Sequence, residues 1–273
     1  MKVFSSGNDT IIENVPYFDL GLSLDCGQAF RFSQSADGAW HGVAGGFVLD
    51  ALQKGDSLIL RNTPPEAFGS FWLDYFDLER DYESIVAGFS EDEYLKRACA
   101  DFPGIHILRQ EPWEALCSFI ISTNNNIPRI KGIVGRLCES FGKPLGNGSF
   151  TFPDADVLAS LEVEALAPLR AGFRHAYILD AARKVSDKTV NLQALADCDD
   201  LDFIRGELMK IKGVGPKVAE CAILYGMGKT DAFPVDVWVK RIMQEMYPDG
   251  LPACTNGVRG IAQQYLFHWR RNN

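Results

Sequence analysis

Close cysteine pairs are missing from this chain. Its seven cysteines (Cys26, Cys99, Cys117, Cys138, Cys198, Cys221 and Cys254) are scattered and odd in number. Without a Cys-x-x-Cys spacing, neither a zinc site nor a disulfide framework is indicated. Without clustering, a cysteine-held iron–sulfur centre is excluded. Long apolar runs are missing too, and none approaches the roughly 18 residues that span a bilayer. The opening "MKVFSSGNDT" has no apolar signal-peptide core, so a cytosolic protein is expected. Positive charge is in deficit: 27 Lys and Arg stand against 36 Asp and Glu, a net charge of -9. Taken alone, that balance argues against nucleic acid as a partner.

What is present reads as globular. Apolar residues make up 47% of 273, enough for an ordinary core in two domains or one large one. The charge is unevenly spread. "LDYFDLERDYES" and "SEDEY" hold much of the acid, whereas Lys210, Lys212, Lys217, Lys229, Lys240 and Arg241 gather in one stretch. A local basic face can bind phosphates on an acidic protein. A merely solvated surface would look the same.

Residues 1–102 alternate β-like runs with turn signals. "AFRFSQSADGAWHGVAGGFVLDALQKGDSLIL" predicts strands joined by Asp-Gly, Gly-Gly and Lys-Gly turns, hence an antiparallel sheet. Residues 103–273 turn helical. "EPWEALCSFIIST" has helical apolar spacing, and "IPRIKGIVGRLCESFG" opens with Pro128 and closes at Gly142. "DADVLASLEVEAL", "FRHAYILDAARKVSD", "LDFIRGELMKIKG", "GPKVAECAILYGMG", "VDVWVKRIMQEMY" and "VRGIAQQYLFHWRR" predict further helices. The expected class is α+β, a sheet domain followed by an all-helical one.

Within residues 203–227, "LMKIKGVGPKVAECAIL" reads as helix, Gly-Val-Gly turn, helix. Such a turn exposes backbone N–H groups where the second helix starts, and its glycines let an anion come close. That is a helix-hairpin-helix, which grips a DNA phosphate without reading sequence. A plain structural αα-corner fits the same residues. Lys217 opens the second helix, where a positive charge opposes the helix dipole. Lys210 and Lys212 lie nearby. A neutral lysine amine forms Schiff bases with sugar C1′; a surface lysine touching phosphate is the plainer reading. Nineteen residues on, in "FPVDVWV", Asp236 suits a helix N-cap. A carboxylate there could also stabilise an oxocarbenium-like sugar.

Together, "IKGVGPKVAECA" and "FPVDV" resemble the helix-hairpin-helix DNA glycosylase superfamily, and their order and spacing match its 8-oxoguanine glycosylase/AP lyase branch. "LDCGQAFRF", "SFIISTNNNIPRIKGIVGRLCESFG", "FRHAYI" and "AQQYLF" are further landmarks in the family order, so the resemblance extends over nearly the whole chain. It implies an N-terminal sheet and two helical lobes. It also implies a bifunctional enzyme acting on damaged double-stranded DNA, with Lys217 as nucleophile and Asp236 as the catalytic carboxylate.

The resemblance assigns the remaining residues. Gly27 offers its carbonyl to the lesion N7–H, a position where guanine has only an acceptor. Gln263 bonds the Watson–Crick edge, Phe267 and Cys221 face the extruded base, and Pro234 borders it. Asn124, Arg129 and Arg174 attend the base left behind, with donors suited to cytosine, and Phe173 wedges into the stack. Gly213, Gly215 and Lys212 meet a phosphate. The carbonyls of Met209, Ile211 and Val214 are candidates for a monovalent or calcium ion; no other cofactor is required. A monomer is expected, without membrane association, in a bacterial cytoplasm or a eukaryotic nucleus. Two positions depart from the family pattern: Trp238 stands where histidine is frequent, and Tyr225 where a smaller residue is common. Rival readings are a related glycosylase for other damaged purines and a non-catalytic DNA-binding protein.

Overall fold

A computed structural model describes all residues, Met1–Asn273. Strands β1 (Lys2–Ser6), β2 (Asp9–Glu13), β3 (Phe32–Gln34), β4 (Trp40–Ala44), β5 (Phe47–Lys54) and β6 (Ser57–Leu60) form one sheet in the order β1-β2-β6-β5-β4-β3. Alternation sets its buried face. Thr10 lies opposite Leu60 and Ile12 opposite Leu58, while Leu60 also opposes Ala51. All five are 0% exposed. A slip of one residue would turn each of them to water. The predicted Gly turns are present, with Gly38, Gly46 and Gly55 at φ +86°, +81° and +59°. The β1–β2 hairpin is an addition that the sequence reading did not separate.

The principal helices are α1 (Leu20–Asp25), α2 (Tyr82–Phe89), α3 (Glu93–Asp101), α4 (Pro112–Ser122), α5 (Ile127–Phe141), α6 (Arg174–Ser186), α7 (Leu201–Leu208), α8 (Pro216–Cys221), α9 (Val237–Glu245) and α10 (Arg259–Asn272). None is long and apolar enough to cross a membrane.

Contacts divide the chain into two compact units. The first holds Met1–His41, Leu49–Arg109 and Lys229–Asn273; the second holds Gly42–Val48 and Gln110–Gly228. The long N-terminal part of the first unit ends at Arg109, and Lys229–Asn273 groups with it. In the first unit α10 packs on α3, where Trp269 Nε1 donates to Asp101 Oδ2 at 2.8 Å. Its core is aromatic: Trp72 stacks on Phe76 at 5.4 Å and Tyr82 on His106 at 3.6 Å.

The second unit is built around α4. Residues 115–121 of this helix are all buried, which marks a helix covered on every side. It packs against α5, α6 and α8. Two expectations need correction here. "DADVLASLEVEAL" is not one helix but a short one, Ala155–Ala159, and a 3-10 stretch, Val163–Leu169, that contains Pro168. Proline has no N–H to donate and cannot sit inside a regular helix without disrupting it. Nor is this region all helical. β7 (Pro144–Gly146) and β8 (Ser149–Phe150) form a hairpin across an Asn-Gly turn, with Asn147 and Gly148 at φ +50° and +74°.

Candidate active site

The hairpin is real and lies in the second unit: α7, a turn over residues 209–215, then α8. Gly213 sits at φ +84°, and a Cβ on it would lie 2.2 Å from Tyr177 Cδ2. Only glycine meets both conditions. Gly215 is the N-cap of α8 and supplies no side-chain cap. A Cβ there would meet nothing within 4 Å. The first turn of α8 therefore presents uncapped N–H groups beside open space, the arrangement that suits an anion. Lys212 is exposed, as is Met209. Ile211 and Val214 are buried, and the Ile211 carbonyl accepts the Val214 N–H at 3.1 Å. No group of three or more His, Cys, Asp or Glu side chains is placed to hold a metal ion.

Lys217 is half-buried one residue into α8. Its Nζ donates to Ser122 Oγ at 3.3 Å and lies 5.1 Å from the centroid of the Phe119 ring. Both neighbours attract a positive amine. The crowding by like charge expected from sequence is not the whole setting, because Lys210 pairs with Glu207 at 2.5 Å. Phe119 in turn stacks on Tyr225 at 5.1 Å. Tyr225, which departs from the family pattern, is only 4% exposed and packs on the same ring that the amine approaches. Cys221, at the end of α8, is buried and in no disulfide.

The asparagine turn joins α4 to α5. Asn124 takes a left-handed conformation at φ +48°. Asn126 caps α5 by accepting the Arg129 N–H at 3.0 Å. Asn124 and Arg129 are exposed. Arg174 is not: its guanidinium is buried and donates to the carbonyls of Thr123 (Nε, 3.1 Å), Asn124 (2.9 Å) and Ala171 (3.2 Å). It holds the turn in shape. Phe173 is 54% exposed, with Arg174 Cζ 4.4 Å from its ring centroid.

The first unit carries the other predicted residues. Gly27 follows α1 at φ +92°. The residues on either side of it are tied down. Gln28 Nε2 donates to the carbonyls of Ser23 (2.8 Å) and His106 (2.7 Å), and its Oε1 accepts the Leu108 N–H at 3.0 Å. Gln264 Nε2 donates to the Cys26 carbonyl at 3.1 Å. On the same helix, Gln263 is 4% exposed and its Oε1 has no hydrogen-bond partner. A buried polar atom without a partner costs about 1–3 kcal/mol. Phe267 is half-buried with Arg271 Cζ 5.3 Å from its ring centroid. Pro234 is buried. Asp236 caps α9, its Oδ1 accepting the Val239 N–H at 2.8 Å. Trp238 is 37% exposed and carries Arg241 Cζ at 5.5 Å.

Sequence reasoning missed Phe119, Ser122, Tyr177, Gln28 and Gln264. All five lie within the family landmarks, and Gln28 and Gln264 are polar residues in "CGQAF" and "AQQYLF", but nothing local names their partners. Each of them acts across the fold.

Known proteins resemble this chain over nearly its whole length. Residues 10–116 match the 8-oxoguanine DNA glycosylase N-terminal domain. Residues 117–250 match the HhH-GPD superfamily of base excision DNA repair proteins. The solved structure of MBOgg1 in complex with a low-affinity DNA ligand superposes at a TM-score of 0.93, with 42% identity over 99% of this chain and 98% of that one. The chain belongs to the 8-oxoguanine DNA glycosylase family. Another member of the family, the Clostridium acetobutylicum 8-oxoguanine glycosylase/lyase in complex with double-stranded DNA containing cytosine opposite 8-oxoguanine, superposes at 0.93, with 35% identity over 100% of this chain and 98% of that one. The N-glycosylase/DNA lyase of Saccharomyces cerevisiae is 42% identical over 176 residues, 59% of this chain. The match spans about half of the yeast protein, 46% of its length.

Proposed function

We propose that this chain is a bifunctional DNA glycosylase that removes 8-oxoguanine opposite cytosine from double-stranded DNA and then cleaves the abasic site. The observation that carries the reading is the Lys217 amine, held against Ser122 and Phe119 directly after the glycine turn. Near-full-length likeness to 8-oxoguanine glycosylase/lyase structures supports it.

Catalysis starts with extrusion of the lesion, whose unstacking the pocket must offset. The Gly27 carbonyl accepts the lesion N7–H; guanine would set a lone pair there instead. Gln263, with its unpartnered Oε1, bonds the Watson–Crick edge. Phe267 and Cys221 take the two faces of the base, and Pro234 borders it. Lys217 attacks C1′, the glycosidic bond breaks, and the base leaves as an anion that takes up a proton. Asp236 stabilises the positive charge that develops on the sugar. The sugar ring opens to a Schiff base. Loss of a C2′ proton then expels the 3′ phosphate by β-elimination, and water releases the lysine.

Arg129 and Asn124 meet the N3 and O2 acceptors of cytosine, with Arg174 behind them on the carbonyls of the turn. Phe173 fills the gap in the stack. Gly213, Gly215 and Lys212 hold a phosphate. A monovalent or calcium ion at the carbonyls of Met209, Ile211 and Val214 fits this scheme, since the Ile211 oxygen keeps a lone pair beyond its bond to Val214. No redox cofactor takes part. The enzyme acts as a monomer, in the cytoplasm of a bacterium or the nucleus of a eukaryote.

The test is borohydride reduction with a duplex carrying 8-oxoguanine opposite cytosine. A covalent adduct that vanishes in Lys217→Gln is expected. Base release without an adduct would point instead to a monofunctional glycosylase, and binding with neither to a non-catalytic DNA-binding protein.

A further inference from the structure

One face of α6 supports the hairpin turn from within the second unit. Tyr177, Asp180 and Lys184 follow at i, i+3 and i+7, so they line up along the helix. The Tyr177 ring fills the space beside Gly213. Asp180 Oδ2 accepts the backbone N–H of Lys212 at 2.7 Å. Lys184 Nζ donates to the same Asp180 oxygen at 2.9 Å and to the Lys210 carbonyl at 2.6 Å. Three consecutive supports thus grip residues 210, 212 and 213. The ion pair is partly shielded, with side chains 29% and 28% exposed, so salt screens it less than a surface pair. Burial works against ionisation of Asp180, but its bonds to Lys184 and to the Lys212 N–H outweigh it and hold the carboxyl below its ordinary range.

A carboxylate beneath a phosphate-binding turn needs a reason. Left alone, it would repel the phosphate. Lys184 cancels that charge and fixes the turn at a second point. We propose that Asp180 and Lys184 are positioning residues of the DNA grip: they lock the turn so that the N–H groups of Gly213 and Gly215 are aimed at one phosphate. This rests on the DNA-repair reading of the hairpin. It also gives α6 a second duty. The same helix starts at Arg174, next to the exposed Phe173, and reaches Lys184 about 15 Å further along its axis. One rigid rod therefore sets the spacing between the residues at the estranged base and the grip on the backbone.

The full chain tests this with two variants and two readouts. Affinity is measured on a duplex containing a tetrahydrofuran abasic analogue, which cannot form a Schiff base. The borohydride-trapping rate is measured at saturating 8-oxoguanine duplex. Asp180→Ala should weaken binding about tenfold, or ~1.4 kcal/mol, with the trapping rate at saturation within about twofold of the unmodified protein. Asp180→Asn keeps an acceptor for the Lys212 N–H and should recover most of the affinity. Binding by Asp180→Ala equal to the unmodified protein overturns the proposal. So does a parallel loss of affinity and saturated rate, which would mean general damage, or an Asp180→Asn variant as weak as the alanine. If the unmodified protein neither binds nor traps, the repair reading falls and takes the brace with it, a result distinct from all three.

Discussion

Gly213 offers a prediction whose size follows from two separable causes. An L-residue at φ +84° occupies the left-handed region, at roughly 1–2 kcal/mol. The new Cβ would also stand 2.2 Å from Tyr177 Cδ2 and 2.4 Å from Cγ, so the ring itself must move by more than an ångström. Overpacking of that kind costs about 1–3 kcal/mol. Gly213→Ala should therefore destabilise the protein by about 2–5 kcal/mol in total. Tyr177→Ala removes the ring and with it the second cause, but not the first. In a double-mutant cycle read by urea unfolding, the double variant should recover about 1–3 kcal/mol relative to the sum of the singles. If the two losses simply add, within about 0.5 kcal/mol, then the ring is not what excludes a side chain at 213, and the close-approach argument is wrong.

Two further outcomes follow from single side chains. His106 is 1% exposed, and burial pulls its pKa from 6.5 to about 4. A folded value below the unfolded one means stability is intact above pH 6.5 and lost as pH falls toward 4, by about 3 kcal/mol. Denaturation midpoints across that window should flatten in His106→Gln relative to the unmodified protein, and an unchanged slope would refute the assignment. Asp236→Asn keeps an N-cap of equal quality and removes the charge, so stability should hold within about 0.5 kcal/mol. Trapping, by contrast, should fall by about a hundredfold or more, as for other preorganised electrostatic groups. A trapping rate within a few-fold would leave Asp236 as a cap alone.

The strands were legible because their punctuation is local. Asp37-Gly38, Gly45-Gly46 and Lys54-Gly55 each need a conformation that glycine adopts freely, and each marks a turn in the sheet. Helix starts were legible for the same reason: Pro128 falls in a first turn, and Asp236 accepts an N–H group as a cap. What periodicity cannot say is which surface an apolar stripe will cover. The stripe of α10 reads identically whether it packs on helices or beside a sheet. For that reason the grouping of Lys229–Asn273 with the first unit was out of reach.

The site divides along the same line. Gly213, Lys217 and Asp236 sit in short motifs whose chemistry is visible within a few residues. Ser122 and Phe119 meet Lys217 from nearly a hundred residues away, and Asp180 meets Lys212 across 32. No local pattern encodes such pairs. Arg174, expected beside the estranged base, rests its donors on the carbonyls of Thr123 and Asn124, partners that its identity alone does not specify. Asp236 shows why a bland and a sharp reading need not compete. Its Oδ1 takes the Val239 N–H, as any cap would. That single bond fixes the side chain, and a carboxylate has a second oxygen with its own lone pairs. On the proposed mechanism, the cap is what holds the other oxygen, and the charge, in one place for the sugar.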